Sequence, residues 1–195
     1  MKKKILGLVP TIIKRRGSLS FVIETETLTF LKKCFRNYDY KILNYNMHNI
    51  KLDLIISLGG NSLLSLEKSN ANFMRNRLDD YYLKLAIKKK IPFFGICYGA
   101  QFIANFFKSK IKKKNNHSNN VHKITLISNK KIFVNSYHDY SITKLGNSLN
   151  ILAKSEDGSI EAFKHINKKI LGIMWHPERY NKIKKFDLKF IKKFL

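Results

Sequence analysis

IPFFGICYGAQ, residues 91–101, joins a short apolar run to a segment with helical spacing. The apolar run predicts a buried strand, and the segment after it carries apolar residues at 102, 103, 106 and 107. Between the two, Cys97 is flanked by Gly95 and Gly99, which is the spacing of a nucleophile elbow. Such a sharp turn closes only when the neighbouring residues are small, and the helix N-terminus behind it favours a thiolate. A cysteine after a strand is also a common core residue, so this pattern alone leaves catalysis and packing open.

A second apolar run, ILGIMW at residues 170–175, predicts another buried strand and ends in His176-Pro177-Glu178. A nucleophilic cysteine needs a base, and an imidazole base needs a third group that holds its tautomer. A histidine followed two residues later by a carboxylate suits both requirements. We therefore predict that Cys97, His176 and Glu178 form a catalytic triad.

The motifs Gly-Ile-Cys-Tyr-Gly-Ala-Gln at 95–101 and Trp-His-Pro-Glu at 175–178 resemble the class I glutamine amidotransferase superfamily. Within it, the closest resemblance is to the γ-glutamyl hydrolases that include γ-glutamyl-γ-aminobutyrate hydrolase. Residues 134–138 and 153–162 also lie in family order, so the resemblance covers nearly the whole chain. It implies a flavodoxin-like α/β fold, with a mostly parallel central sheet flanked by helices and with added antiparallel strands. We expect one such domain over residues 1–195.

Apolar periodicity along the chain predicts elements that agree with such a fold. Strands are predicted at 4–9, 40–45, 53–58, 124–127, 131–135, 149–155, 159–164 and 170–175. Helices are predicted at 21–35, from 73 onward, after the elbow, and over 182–195, the last packing onto the sheet. The segment 10–20 is predicted to be a basic loop, and the segment 110–123 a basic and mobile one.

The resemblance also implies roles for five residues around the nucleophile. Gly60 and Tyr98 match the positions whose main-chain N–H groups form the oxyanion hole. Gln101 matches a residue beside the glutamyl group of the substrate, although its side chain could equally cap or pack. Tyr137 and His138 match a segment that approaches the glutamate end of the substrate.

The reaction implied by the resemblance is acyl transfer to water. The thiolate attacks the δ-carbonyl of a γ-glutamyl group, and water then hydrolyses the glutamyl thioester. His176 is a better candidate for the base than His138 because Glu178 follows it. No metal or organic cofactor is needed, and His117 and His122, alone in a polar loop, make a poor metal site.

The composition is strongly basic, with 38 Lys and Arg against 13 Asp and Glu, and the net charge is +25. Such a surface attracts anionic substrates, membranes or nucleic acids. The abundance of Lys, Asn and Ile throughout the chain offers a purely compositional explanation, and no RNA-binding signature accompanies the charge. A functional interpretation suits a phosphorylated or nucleotide-linked substrate, like the γ-glutamyl-CDP-amidate that small relatives in this superfamily hydrolyse.

Departures from the hydrolase pattern leave the released amine open. Tyr98 stands where γ-glutamyl-γ-aminobutyrate hydrolases typically have arginine, and Lys-Ser-Lys at 108–110 replaces a glycine-rich turn. The alternative function is a glutaminase subunit that uses the same triad to supply ammonia to a synthetase partner. A third class, a non-catalytic nucleic-acid-binding protein on a decayed enzyme fold, is disfavoured by the intact Cys97, His176 and Glu178 set.

Cysteine content and apolar runs bear on the cellular compartment. The two cysteines, Cys34 and Cys97, do not make a disulfide framework, which favours a reducing setting, and we expect Cys34 to serve packing. The first apolar run covers only residues 5–9, which is short for the ~7–15 residues of a signal-peptide core. No apolar run reaches the ~18–20 residues of a membrane span. We therefore expect a cytoplasmic enzyme acting on a small γ-glutamyl substrate, with no membrane or nucleic-acid partner.

Overall fold

A computed structural model shows one long mixed sheet within residues 3–47, 50–114 and 117–195, the part of the chain that it describes. The α-helices there are α1 (Thr25–Cys34), α2 (Asn70–Lys89), α3 (Tyr98–Phe106) and α4 (Lys185–Phe194). The first strands are β1 (Lys4–Val9), β2 (Thr11–Arg15), β3 (Ser18–Val22), β4 (Tyr38–Ile42), β5 (Leu54–Ser57) and β6 (Phe93–Ile96). The later strands are β7 (Lys110–Lys113), β8 (Asn120–Leu126), β9 (Lys131–Ser136), β10 (Tyr140–Lys144), β11 (Leu149–Ser155), β12 (Ile160–His165) and β13 (Ile170–Ile173).

The strand order across the sheet is β4-β1-β5-β6-β13-β12-β11-β8-β9. Neighbours from β4 to β13 pair in parallel, and the pairs from β13–β12 outwards are antiparallel. β10 pairs with β12 and with β7, which adds a further antiparallel branch. This topology confirms the predicted α/β fold with a mostly parallel core and added antiparallel strands.

Helices cover both faces of the parallel strands, which explains why those strands are apolar throughout. Phe30 of α1 and Ile191 of α4 pack against one face of the sheet. Leu78 of α2 and Ile103 of α3 pack against the other face. The tail helix therefore packs on the sheet as predicted. None of the helices among the described residues is both long and apolar enough to cross a membrane.

The segment predicted to be a loop, 10–20, is instead mostly a hairpin of β2 and β3. Its turn is made by Arg16 and Gly17, whose φ angles are 49° and 82°. Two successive positive φ angles suit the tight turn that matches strand twist, but Arg-Gly is a weaker signal for it than Asn-Gly. Phe21 belongs to β3, so the following helix begins at Thr25 and not at residue 21.

The basic segment predicted to be mobile, 110–123, contains β7 and the first half of β8. β7 pairs with β10, a strand that was not predicted, and β8 pairs with β9. Main-chain hydrogen bonds therefore order this region more than apolar burial does. A search for apolar runs misses strands in which lysine and asparagine predominate. Residues 115 and 116 lie outside the described part of the chain.

A buried carboxyl group joins α4 to the segment after β13. Trp175 donates a hydrogen bond from Nε1 to Asp187 Oδ1 at 2.9 Å, and Asp187 is 1% exposed. Burial raises the pKa of Asp187 from 3.8 to about 6, although the Trp175 hydrogen bond and Lys184 act against the rise. Because the folded-state pKa is the higher one, the neutral carboxyl favours folding below the unfolded pKa. That contribution is lost as the pH rises through about 6.

Asp187→Asn removes this titration while keeping an oxygen that can accept from Trp175. Between about pH 4 and about pH 8, we expect the free energy of unfolding of the wild type to fall by about 2 kcal/mol relative to the variant. Urea unfolding of both proteins at the two pH values measures this change. Any effect of the substitution on stability that does not depend on pH cancels in the comparison. An identical pH dependence for the two proteins would show that Asp187 does not titrate in this range.

Candidate active site

The sharp turn predicted between β6 and α3 is present, and Cys97 lies at its apex. Cys97 has φ 50° and ψ −102°, a conformation that non-glycine residues rarely adopt. Its N–H donates to Ile173 O at 2.8 Å, and its carbonyl accepts from Gln101 N at 2.9 Å. Hydrogen bonds on both sides therefore hold the strained residue in place.

Close approach of the main chain explains the two glycines of the elbow. A Cβ atom on Gly95 would lie 2.5 Å from the carbonyl carbon of Gly99. A Cβ atom on Gly99 would lie 2.3 Å from the main-chain oxygen of Ser57, the last residue of β5. Both distances are far below van der Waals contact, so glycine at these two positions lets the turn close against the sheet.

His176 follows β13 and is fixed through both its main chain and its ring. Asn135, near the end of β9, accepts from His176 N and donates to His176 O, each at 2.8 Å. His176 Nδ1 lies 2.5 Å from Glu178 Oε1, and both side chains are buried. A carboxylate only accepts hydrogen bonds, so the proton of this pair lies on Nδ1, and Nε2 is left for a partner on the other side of the ring.

The side chains of His176 and Cys97 both lie next to Gly59. A Cβ atom on Gly59 would lie 2.8 Å from His176 Cε1, 3.6 Å from His176 Nε2 and 3.5 Å from Cys97 Cβ. Burial acts to lower the pKa of His176, but the Cys97 thiolate and the Glu178 carboxylate outweigh it and raise that pKa to about 10. A base held next to a cysteine in this way suits activation of a thiol. The structure thus brings Cys97, His176 and Glu178 together.

The predicted oxyanion-hole residues are both chain neighbours of residues at the centre of the site: Gly60 follows Gly59, and Tyr98 follows Cys97. The carbonyl of Gly59 accepts from Thr11 Oγ1 at 2.8 Å, and the trans peptide turns the Gly60 N–H to the opposite side. Tyr98 is the first residue of α3, where an N–H has no acceptor within the helix. Its ring is buried, with the centroid 4.5 Å from the guanidinium carbon of Arg75. The ring of Tyr98 is therefore not exposed to a ligand beside Cys97, and the oxyanion role predicted for the Tyr98 N–H stays a prediction.

A buried ion pair next to the main chain that follows β5 was not predicted from the sequence. Arg75 and Asp79 of α2 are both fully buried, with Nε and Oδ2 2.6 Å apart. Arg75 Nη2 donates to Leu58 O at 2.6 Å and to Ser57 Oγ at 3.0 Å, and Nη1 lies 3.4 Å from Gly59 O. The guanidinium thus holds the main chain at the end of β5. A signal existed, because positions 75, 78, 79 and 82 share one helical face and the charged pair interrupts its apolar stripe.

Tyr137 and Arg179 form a partly exposed rim next to His176. The Tyr137 ring stands edge-on to the His176 ring, with centroids 5.6 Å apart. The Arg179 guanidinium lies 4.8 Å from the centroid of the Tyr137 ring and pairs with Glu24 at 2.9 Å. Sequence reasoning missed Arg179 because a single arginine after a motif forms no pattern. Its position beside the predicted triad suits contact with an anionic group of a ligand.

The other two residues predicted to bind substrate are buried and contact the same main-chain oxygen. Gln101 donates from Nε2 to Tyr140 O at 2.9 Å, and His138 contacts that oxygen through Nδ1 at 3.1 Å. His138 Nε2 faces Glu161 Oε1 at 3.8 Å. These contacts of both side chains are internal, and the role of Gln101 and His138 in substrate binding stays a prediction.

The expectation that His117 and His122 are isolated histidines of a polar loop is wrong. Their rings lie 4.9 Å apart, and His117 also contacts the ring of His138, with centroids 5.0 Å apart. The three histidines surround the fully buried carboxylate of Glu161. Pairing of β8 with β9 and of β11 with β12 brings these residues together, and no local pattern in the sequence marks that convergence.

Known proteins share both the sequence pattern and the fold. The family model described as glutamine amidotransferase class-I matches residues 36–195. A gamma-glutamyl-CDP-amidate hydrolase of Campylobacter jejuni is 38% identical over 158 residues, which cover 78% of this chain and 77% of that protein. A glutamine-hydrolyzing GMP synthase subunit from Methanococcus vannielii is 30% identical over 102 residues, 48% of this chain, and the match spans about half (54%) of that protein. A solved glutamine amidotransferase of Thermotoga maritima superposes with a TM-score of 0.71 at 18% identity, covering 99% of this chain and 84% of that one.

Proposed function

The chain belongs to the class-I glutamine amidotransferase family, and from this premise we propose that it is a cysteine-dependent hydrolase of γ-glutamyl amide bonds. One observation carries the proposal: Cys97 and the ring of His176 meet over Gly59, with Glu178 on the other side of the ring. This arrangement can activate a thiol and protonate an amine leaving group. The relative of 38% identity is named a gamma-glutamyl-CDP-amidate hydrolase, which supports the same chemistry here.

The proposed reaction proceeds in two halves around the elbow. The Cys97 thiolate attacks the δ-carbonyl carbon, and the N–H groups of Gly60 and Tyr98 stabilise the oxyanion by roughly 3 kcal/mol each. His176 gives its proton to the departing nitrogen, which breaks the amide bond and leaves a glutamyl thioester. His176 then takes a proton from water, the resulting hydroxide attacks the thioester, and glutamate leaves. Glu178 holds the ring and stabilises its charged form throughout.

We infer that the leaving amine carries an anionic, nucleotide-like group. The substrate named for the 38% identical relative carries such a group, and the +25 net charge favours anions in general. Arg179, which pairs with Glu24, places a guanidinium on the rim beside Tyr137, and we infer that a phosphate of the leaving group contacts it. The ring of Tyr98, which departs from the hydrolase pattern, is buried and so does not select the leaving group.

Glutamate release by the isolated protein tests this function. We would offer γ-glutamyl-CDP-amidate, γ-glutamyl-γ-aminobutyrate and glutamine separately. We expect turnover without a partner protein and the highest kcat/KM for the cytidine-linked substrate. A preference for γ-glutamyl-γ-aminobutyrate would keep the hydrolase and overturn the nucleotide-linked leaving group. If none of the three substrates released glutamate, the proposal of a hydrolase that acts without a partner would be overturned.

The second candidate is a glutaminase subunit that supplies ammonia to a synthetase. The similarity to the glutamine-hydrolyzing GMP synthase subunit favours it, although that match covers only about half of each protein. The same triad geometry serves both functions, because each begins with a glutamyl thioester. The two functions differ in a measurable way: a glutaminase subunit would hydrolyse glutamine, and only weakly until its synthetase is added.

Arg179→Gln tests the proposed contact with the leaving group. We expect KM for the cytidine-linked substrate to rise roughly ten-fold with little change in kcat, because the guanidinium contacts a part of the substrate that does not react. KM for glutamine should change far less. The matched control is Arg36→Gln, which removes an exposed arginine beside the start of β4, at the opposite edge of the parallel sheet. An equal rise in KM for both substrates would rule out a phosphate contact.

A further inference from the structure

A second cluster of chemically capable side chains lies among the antiparallel strands. It consists of His117, which precedes β8, His122 of β8, His138, which follows β9, and Glu161 of β12. His117 and His138 are each 4% exposed, and Glu161 is 0% exposed. A buried carboxylate is costly unless a positive charge or hydrogen-bond donors compensate it, so the surroundings of Glu161 must supply one or the other.

The outer nitrogens of two of these rings are already committed as donors. His117 Nε2 lies 3.0 Å from Asp157 Oδ2, and His138 Nδ1 lies 3.1 Å from Tyr140 O. Both partners accept hydrogen bonds here: Tyr140 O is a main-chain carbonyl, and the Asp157 carboxylate also accepts from Lys114, Ser155 and Ser159. In the neutral rings the lone pairs therefore lie on His117 Nδ1 and on His138 Nε2.

Those lone pairs point at the buried carboxylate. His117 Nδ1 and His138 Nε2 lie 3.7 Å and 3.8 Å from Glu161 Oε1, and the three ligand atoms lie within 4.8 Å of one another. His122 Nε2 lies 3.4 Å from the other carboxylate oxygen, Oε2. Among the described residues, none of these three nitrogens and neither oxygen has a hydrogen-bond partner. Lone pairs converging on a carboxylate repel one another unless a cation lies between them.

We propose that this cluster binds one Zn²⁺ ion through His117 Nδ1, His138 Nε2 and Glu161, with His122 Nε2 as the fourth ligand. Imidazole and carboxylate are ordinary zinc ligands, and four of them suit tetrahedral coordination. Ligands about 2.0–2.2 Å from such an ion are roughly 3.4 Å apart, close to the 3.4–3.8 Å between the imidazole nitrogens and the carboxylate. The set holds too few oxygens for Ca²⁺ or Mg²⁺.

The surroundings of the cluster match those of bound metals. Metal-binding histidines usually donate their other N–H to a carboxylate or a main-chain carbonyl, as His117 does to Asp157 and His138 to Tyr140. Glu161 is fully buried, and neither of its carboxylate oxygens has a hydrogen-bond partner among the described residues. Both oxygens are therefore available to a cation.

The position of the cluster gives the ion a structural role next to the proposed active site. The segment from Asn135 to His138 begins at the residue that holds the main chain of His176 and ends at a proposed metal ligand. Between them, the Tyr137 ring contacts the His176 ring. An ion on His138 would therefore fix the segment that positions His176, without taking part in the reaction. The proposal stands on this geometry and not on the substrate.

Metal content of the full-length protein, purified without an affinity tag, tests the site. After equilibration with Zn²⁺ and desalting, we expect about one Zn²⁺ per chain by mass spectrometry of the elements. Glu161→Gln and His138→Gln should each lower this to below about 0.2 per chain. The matched control is His165→Gln on β12, a histidine that contacts the Phe107 ring and the main chain of residues 167 and 168. Its zinc content should stay at the wild-type value.

A second measurement uses the wild type and tests the site even if the variants fail to fold. Co²⁺ in place of Zn²⁺ should give the intense visible absorption of tetrahedral coordination, and a chelator should lower Tm of the metal-loaded protein. The proposal would be overturned if the protein took up no Zn²⁺ and if neither Zn²⁺ nor a chelator changed its Tm. That result would show that protons on the histidines compensate Glu161. Full zinc content in a folded Glu161→Gln variant would also overturn the assigned ligands.

Discussion

Cys97→Ala is expected to lower kcat/KM for γ-glutamyl amide hydrolysis by roughly 10,000-fold or more. The covalent route requires a sulfur atom that attacks carbon and later leaves it, and alanine offers no such atom. Alanine keeps the Cβ atom and the positive φ of the elbow, so the loss reports on the thiol and not on a refolded turn. The proposed oxyanion donors, the N–H groups of Gly60 and Tyr98, are unchanged in this variant and would account for any residual rate. Glutamate release at substrate concentrations below KM measures the change.

Cys34→Ala is the matched control, because it removes the other cysteine of the chain. Cys34 ends α1 in the core, and burial raises the pKa of its thiol to about 12 although Lys192 and Lys33 act against the rise. A thiol with so high a pKa is inert at neutral pH, so activity should stay within about two-fold of the wild type. Iodoacetamide should alkylate Cys97 and not Cys34. Activity that survives in Cys97→Ala, or disappears equally in Cys34→Ala, would contradict the assigned nucleophile.

Local patterns were enough to predict the centre of the fold. The parallel strands are apolar throughout because helices cover both of their faces, and this makes each one visible as a short apolar run. The elbow was visible because Gly95 and Gly99 meet neighbouring main-chain atoms at distances that no side chain tolerates. His176 and Glu178 were found together because they lie two residues apart. In each case, the physical cause and the sequence signal occupy the same stretch of chain.

Features created by long-range pairing were not predictable in this way. The cluster around Glu161 draws on residues from 117 to 161, and the pairing of antiparallel strands alone brings them together. β7 and β10 are held by main-chain hydrogen bonds to each other, which leave little trace in side-chain hydrophobicity. The Arg75–Asp79 pair shows the opposite problem. Its helical spacing was visible, but a charged pair on an i, i+4 spacing usually lies in solvent, and here it is fully buried.

Arg75→Met is expected to lower the free energy of unfolding by about 3–5 kcal/mol. The substitution leaves Asp79 buried without its ion-pair partner, and it removes the donors to Leu58 O and Ser57 Oγ. The exposed pair Lys84–Asp80 on the same helix is the control, since Lys84→Met should cost less than about 1 kcal/mol. Urea unfolding at neutral pH measures both variants. Equal losses would mean that burial does not distinguish the two pairs.

The double variant Arg75→Met/Asp79→Leu separates the ion pair from the packing around it. If the unpaired carboxylate causes most of the loss, removing Asp79 as well should restore a large part of the stability lost in Arg75→Met. The pH gives an independent check. Burial raises the pKa of Asp79 and Arg75 opposes that rise, so without Arg75 the carboxyl takes up a proton more readily. The loss in Arg75→Met should therefore be larger at pH 8 than at pH 5, whereas the double variant should show little such dependence. A loss that is independent of pH, and equal in the single and double variants, would instead assign the stabilisation to the hydrogen bonds from Arg75 to the loop beneath the proposed active site.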